Sequence, residues 1–232
     1  KVDSLRRELI ANISHDLRTP LTMITGYSEI LRDIPNENTP ENIQIIIDEA
    51  KRLTSLVNDV LDISKLQSGS QKLRFGRFCL TDAIEEVLKR YAKLIEQNNY
   101  KINFIFDENV FVNADELRIS QVIYNLLNNA ITHTGDDKTI TIKQTINSDY
   151  VKIEIIDSGE GIPQDKLAYI WDRYYKIDKT HKRAEMGTGL GLSIVKSIID
   201  LHNEIKSDMA RCGVISEENK GSNFWFELKI NK

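Results

Sequence analysis

Little cysteine, no long apolar run and no surplus of positive charge mark this 232-residue chain, and each absence removes a class of protein. Its two cysteines, Cys79 and Cys212, have neither metal-ligand spacing nor the density of a disulfide framework, which fits a reducing compartment. No apolar stretch approaches the ~20 residues needed to cross a bilayer, and no signal-peptide core is present. Lys and Arg number 31 against 35 Asp and Glu, a formal charge of -4, so the basic footprint of a non-specific nucleic-acid binder is missing. What remains is an ordinary globular composition, 41% hydrophobic and 28% charged, enough for one large domain or two small ones. Lys1 opens the chain without a methionine and already in helical register. That reads as a cytoplasmic fragment of a longer protein.

Apolar residues at Val2, Leu5, Leu9, Ile13, Leu17, Leu21, Ile24, Tyr27 and Leu31 recur in steps of three and four, which predicts a helix over about 2–33. The polar, proline-flanked stretch 34–40 is a turn. A second stripe, Ile43, Ile46, Ile47, Ala50, Leu53, Val57, Val60, Leu61 and Leu66, predicts a helix over 41–67, with Pro40 at its first position. Two such helices on a short loop form an antiparallel hairpin. One hairpin cannot bury both stripes, so two copies are expected to pair as a homodimeric four-helix bundle. Gln67-Ser68-Gly69-Ser70 then reads as a hinge, dividing the chain into a hairpin at 1–68 and a second domain at 69–232.

In the second domain, strands are expected near 73–80, 101–106, 139–144, 150–155 and 224–230. Helices are expected from a Thr81-Asp82 cap to about 97, over 115–131 and over 189–202. Tight turns such as Asn147-Ser148-Asp149 join the later strands and favour a mixed or antiparallel sheet over a doubly wound one. The fold class is therefore α+β, a helical hairpin followed by an α/β sandwich with a mixed sheet.

Four stretches carry chemistry. Ile13 to Thr22 places His15, Asp16 and Thr19 within five residues on the first helix, with His15 and Thr19 on one face and Pro20 expected to bend the helix beside them. A solvent-facing histidine on a hairpin would look the same. Asn125 and Asn129 share a helix face and can offer amide oxygens to a hard cation that already carries phosphates, or they are ordinary polar residues on a helix surface. Asp157-Ser158-Gly159-Glu160-Gly161-Ile162-Pro163 follows a strand; Asp157 can accept from an exocyclic amine, with the glycines letting a flat ligand in close, or the stretch is a plain Gly-Pro turn. Gly187-Thr188-Gly189-Leu190-Gly191 opens a helix whose free N–H groups and dipole can hold phosphates. The polar run 176–186, with Lys176, Lys179, Lys182 and Arg183, reads as a lid over a nucleotide.

In this order the motifs resemble the sensor histidine kinases of bacterial two-component systems. Residues 13–22 look like the H box, 125–134 the N box, 157–163 the G1 box, 171–176 the F box and 187–193 the G2 box. The resemblance implies that His15 accepts the γ-phosphoryl group of ATP, that Asp16 orients the imidazole, and that Thr19 serves a phosphatase reaction. It implies that Asn125 and Asn129 engage Mg²⁺ and phosphates, and that Asp157 binds adenine with Gly159, Gly161 and Ile162 around it. Tyr175, Lys176, Gly187, Thr188, Gly189, Leu190 and Gly191 would complete the nucleotide site. It further implies a response-regulator receiver domain as partner and a full-length protein anchored in the plasma membrane. Two positions depart from the pattern: Thr132 stands where many relatives carry Lys or Arg, and Asn203-Glu204 replace a frequent glycine pair. Two other readings compete. An ATPase of the gyrase or mismatch-repair class would need a glutamate beside the N-box asparagines, where the helix offers Asn125 and Asn128. A non-catalytic dimeric scaffold would not need the glycines and asparagines at all.

Overall fold

The computed structural model describes residues 2–67, 72–172 and 189–230, and for 2–10 and 12 it describes the backbone alone. Two long helices come first, α1 (Val2–Asp33) and α2 (Pro40–Gln67), packed side by side. α1 continues as one helix through Pro20, which is buried. Pro40 takes the first position of α2, where its missing N–H has no partner to lose. The Thr39 hydroxyl accepts the Asn42 N–H at 3.2 Å and caps that end. Leu56, Ile63 and Leu66 are buried, whereas Leu21, Ile43, Ile47, Val57 and Leu61 stay exposed within one chain.

The sandwich is a five-stranded sheet with helices on one face. Its strands are β2 (Lys101–Ile105), β4 (Thr139–Asn147), β5 (Tyr150–Asp157), β6 (Ala210–Ser216) and β7 (Ser222–Lys229), ordered β2-β4-β5-β7-β6. β2 and β4 run parallel and every other pair is antiparallel. A separate two-stranded ribbon pairs β1 (Gly76–Cys79) with β3 (Phe111–Ala114). Alternation decides which face is covered: Val151, Ile153, Ile155 and Asp157 point inward from β5, and Phe224, Phe226 and Leu228 from β7. α3 (Leu80–Lys89), α5 (Glu116–His133) and α6 (Gly191–Ile205) supply the other half of that core.

α5 and α6 are antiparallel neighbours. Asp115, the N-cap of α5, meets His202 near the end of α6, and Asn125 lies against Gly191 at the start of α6. The last turns of α2 reach the same layer. Ile63 and Leu66 join its core, and Asp62 accepts from Gln121 at 2.8 Å beside the Arg118 guanidinium at 3.6 Å.

Three local expectations need correction. The helix foreseen from 81 to 97 breaks at Arg90–Tyr91 into α3 and α4 (Ala92–Asn98). Thr81 does not cap it, because its hydroxyl donates to Gln144 Oε1 and accepts the Val110 N–H, both at 3.1 Å. Cys79 is the N-cap and offers no side-chain bond. β3 and β6 are additional strands; β3 alternates in burial but is only four residues long, too short for a period to register in sequence, and β6 carries Arg211, Cys212 and Gly213 and does not alternate.

Candidate functional site

Helical spacing alone builds the first cluster. In α1 the His15 side chain is 77% exposed and its Nδ1 lies 3.3 Å from Asp16 Oδ1. A proton on Nδ1 shared with that carboxylate leaves the lone pair on Nε2, the ring nitrogen directed away from it. Thr19 Oγ1 donates to the carbonyl of His15 at 3.5 Å, one turn away on the same face. The cluster is open to any partner that approaches α1.

The second cluster is assembled from remote segments. Asp157 ends β5 on the inward face and is 4% exposed. Its Oδ1 accepts the Gly159 N–H at 2.9 Å, and the Ser222 backbone N–H also reaches the carboxylate. Oδ2 is buried without a hydrogen-bond partner among the described residues. Burial outweighs the two N–H donors and pushes the carboxyl up to about 6. A buried carboxylate with one oxygen left without a partner, beside the helix layer, suits an N–H donor from a ligand.

The loop after Asp157 is fixed by backbone packing. A Cβ on Gly159 would stand 1.9 Å from the carbonyl oxygen of His133, and one on Gly161 2.0 Å from that of Glu217. Gly161 also adopts φ +71°, the left-handed region. The sequence suggests glycines that admit a flat ligand; in the structure they first let this loop wedge between the end of α5 and the β6–β7 turn. Ile162 is buried and its N–H donates to Ser216 Oγ at 2.9 Å, which completes the clamp.

α5 and α6 bring the remaining groups. Asn125 and Asn129 are half-buried on α5, and Asn125 Nδ2 is a buried donor without a partner among the described residues. Leu190 is fully buried as the N-cap of α6, and Ser193 Oγ bonds back to its carbonyl at 2.8 Å. Gly189 takes φ +68° just before α6, and Gly191, the first residue of that helix, lies beside Asn125; the first N–H groups of a helix have no partner within it. Asn128 faces elsewhere: its Oδ1 accepts from Tyr91 OH at 2.7 Å, tying α5 to the α3–α4 break. Tyr175, Lys176, Gly187 and Thr188, together with Lys179, Lys182 and Arg183, lie outside the described residues.

An exposed imidazole on a hairpin and a buried acceptor near a glycine-opened helix therefore occur in one chain. Residues 5–69 match the His Kinase A (phospho-acceptor) domain. Residues 114–232 match the histidine kinase-, DNA gyrase B- and HSP90-like ATPase family. The chain belongs to the bacterial two-component sensor histidine kinases. The sensor histidine kinase WalK of Bacillus subtilis is 32% identical over 98% of this chain, and the WalK of Staphylococcus aureus is equally identical over the same share. The chain spans 37% of the first relative's length and 54% of the second's. Among solved structures, histidine kinase ThkA in complex with response regulator TrrA superposes with a TM-score of 0.77 at 27% identity, covering 98% of this chain and 63% of that one. Acinetobacter baumannii AdeS shares the fold at a TM-score of 0.72 and 22% identity, covering 94% of this chain and 98% of that one. As in its family, the histidine kinase sandwich is an ATP-binding fold, and the two orphaned atoms suit that ligand: Asp157 Oδ2 an amino group, Asn125 Nδ2 a phosphate oxygen. Tyr91 and Ser222 are not legible as site residues in the sequence, because nothing near them signals a bond to the N-box helix or to Asp157.

Proposed function

We propose that the chain is the catalytic region of a kinase that phosphorylates itself on His15 at the expense of ATP and passes the group to an aspartate of a response-regulator receiver domain. The observation that carries this reading is the His15–Asp16 contact on an exposed face of the phospho-acceptor helix. Asp16 holds the Nδ1 proton, so the Nε2 lone pair is available to attack the γ-phosphorus. An N–P bond forms as the bond to the β,γ-bridging oxygen breaks, and ADP leaves with the electron pair. In the second step the receiver carboxylate oxygen attacks phosphorus and the N–P bond breaks, returning the neutral imidazole. Thr19, one turn from His15, is positioned to orient water for hydrolysis of the receiver's aspartyl phosphate, the phosphatase outcome, which releases inorganic phosphate.

Within the sandwich, Asp157 takes the adenine amino group and the start of α6, from Gly189 to Gly191, takes the phosphates. Gly187, Thr188, Tyr175 and Lys176 belong to the same site by their place in the motifs. Asn129, with Asn125, would hold Mg²⁺, which supplies charge neutralisation on the transferring phosphates. Transfer of this kind rests on positioning more than on covalent machinery, which suits an acceptor and a donor carried on separate domains, 1–68 and 69–232.

The exposed Leu21, Ile43, Ile47, Val57 and Leu61 give the hairpin an apolar surface that a second copy would bury, so the working form is a homodimer through α1 and α2. No described helix is long and apolar enough to cross a membrane; the relatives are longer than this chain, and a membrane anchor for the full-length protein is part of the proposal, drawn from the resemblance of the motifs. A gyrase-like ATPase reading fails on α5, where the candidate position beside Asn125 is Asn128, already bonded to Tyr91.

The label itself decides the reaction class. Incubated with γ-labelled ATP and Mg²⁺, the chain is expected to acquire phosphate that is lost in acid and kept in alkali. Label that survives acid would mean a hydroxyl acceptor and would overturn the assignment.

A further inference from the structure

By sequence His202 reads as a structural or nucleotide-lining histidine, and the Asn203-Glu204 pair after it as a departure from the family pattern. The fold gives both a common place, at the end of α6 remote from the nucleotide. His202 is fully buried. Its Nδ1 lies 2.8 Å from the carbonyl of Ile198, one turn back, and its Nε2 accepts the Asp115 N–H at 3.2 Å. Burial lowers the basicity of the imidazole, in keeping with a neutral ring that donates at one nitrogen and accepts at the other. Asp115 is itself a junction: its carboxylate accepts the N–H of Arg118 at 3.1 Å and that of Arg74 at 2.7 Å. Phe75, next along the strap that leads from the hairpin, sets its ring edge-on to His202 at 5.4 Å. On the other side Asn203 Oδ1 accepts the N–H groups of Met209 and Ala210, both at 3.0 Å, and its Nδ2 donates to the Ala210 carbonyl at 2.7 Å.

Side chains thus hold one end of α6 to α5, to the strap and to β6. The other end is the proposed phosphate cradle. A helix is a stiff rod, and the 15 residues of α6 span about 22 Å. Fixing where it ends along α5 fixes where its first N–H groups stand relative to the asparagine face. The start of α6 lies beside the asparagine face of α5: a Cβ built on Gly191 would stand in ordinary van der Waals contact, 3.8 Å from the Asn125 side chain. Adenine recognition is independent of this pin, because Asp157 belongs to the sheet and takes its bonds from Gly159 and Ser222.

We propose that His202 is a positioning residue for the phosphates of the nucleotide: by bonding Asp115 it sets the axial register of α6 against α5, and so the spacing between the phosphate-binding helix start and Asn125. The inference rests on the nucleotide-site reading above. It makes an unusual demand, since a residue beyond reach of the ligand must act on one half of the ligand only. Asn203 serves the same register from the β6 side, which gives the departure from the glycine pair a purpose.

The test compares His202→Phe, which keeps ring volume against Phe75 and removes both polar roles, with His202→Gln, which can keep a donor and an acceptor. Affinities of the full chain for ATP, ADP and adenosine are measured by displacement of a fluorescent nucleotide. His202→Phe is expected to weaken ATP and ADP about tenfold, as sub-ångström misplacement of binding groups does, while adenosine stays within about twofold and His202→Gln recovers most of the loss. A merely structural role predicts equal loss for all three ligands, and that result, or no loss at all, overturns the proposal. Should His202→Phe fail to fold, hydrogen exchange in the unaltered chain decides: the Asp115 amide slows with ATP or ADP and not with adenosine, and identical exchange in all three overturns it. An unaltered chain that binds none of the three refutes the nucleotide site itself, which is a different failure.

Discussion

The His15 side chain is 77% exposed on a single helix and takes its orientation from the next residue in sequence. Asp157 is 4% exposed and is held by N–H groups of Gly159 and Ser222, beneath a loop wedged between the end of α5 and the β6–β7 turn. The two are the proposed acceptor and the proposed nucleotide anchor of one reaction. Their construction matches their tasks. An acceptor that must meet both an ATP-loaded domain and a receiver domain has to stay open, so local helical geometry is all that arranges it. A nucleotide anchor needs a desolvated acceptor, because a hydrogen bond gains selectivity only where water cannot replace it. The charge left inside the fold is the consequence, seen as a carboxyl pushed up to about 6.

That contrast can be broken most forcefully at Asp157. Asp157→Asn should weaken ATP about a hundredfold, the worth of a charge-assisted bond in a dry site, yet raise the unfolding free energy at pH 8. The sign follows from the shift: a group whose folded pKa lies above its unfolded 3.8 stabilises the fold below that value and loses the contribution as pH rises through 6. At pH 8 the buried charge therefore costs the fold, and its removal should recover on the order of 1–2 kcal/mol, read by denaturant titration. A variant that loses both binding and stability would mean the carboxylate is structural.

Asp16 offers the corresponding change at the open pole. Because its partner is solvent-exposed, Asp16→Asn should slow autophosphorylation about thirtyfold while leaving ATP affinity unchanged, measured by initial labelling rate and calorimetry. A shift in ATP affinity would join the two regions where the account separates them.

Acid provides a graded version of the first test. As Asp157 takes up its proton below about pH 6, ATP affinity should fall roughly tenfold per pH unit and Asp157→Asn should flatten that slope. The smallest effect is expected at Tyr91, whose hydroxyl bonds Asn128 at 2.7 Å. Tyr91→Phe should lower stability by about 1 kcal/mol and leave ATP affinity within about twofold, which would set the N-box Asn128 apart from Asn125 and Asn129.

The same contrast governs which features are legible in the sequence. α1 and α2 announce themselves because helical stripes at steps of three and four are local, and so is the His15, Asp16 and Thr19 cluster. β4, β5 and β7 alternate cleanly because one face is buried. Thr81 misleads because a threonine before an apolar helix looks like a cap, whereas its hydroxyl is committed to Gln144, 63 positions away. Tyr91, Ser222 and the Asp115–His202 bond are illegible for the same reason: their partners lie tens of residues distant. The glycines of the G1 loop are visible as a motif, but the reasons for them, the His133 carbonyl at 1.9 Å from a would-be Cβ on Gly159 and the Glu217 carbonyl at 2.0 Å from one on Gly161, exist only in three dimensions.

The central claim is that binding of ATP and acceptance of its phosphate reside in different parts of this chain. His15→Ala tests it with one paired measurement, ATP affinity and γ-phosphate label on the same preparation. The variant should bind ATP with the affinity of the parent and acquire no label. Label that persists on the variant, or affinity that falls with it, would contradict the assignment of His15 as an acceptor apart from the nucleotide site.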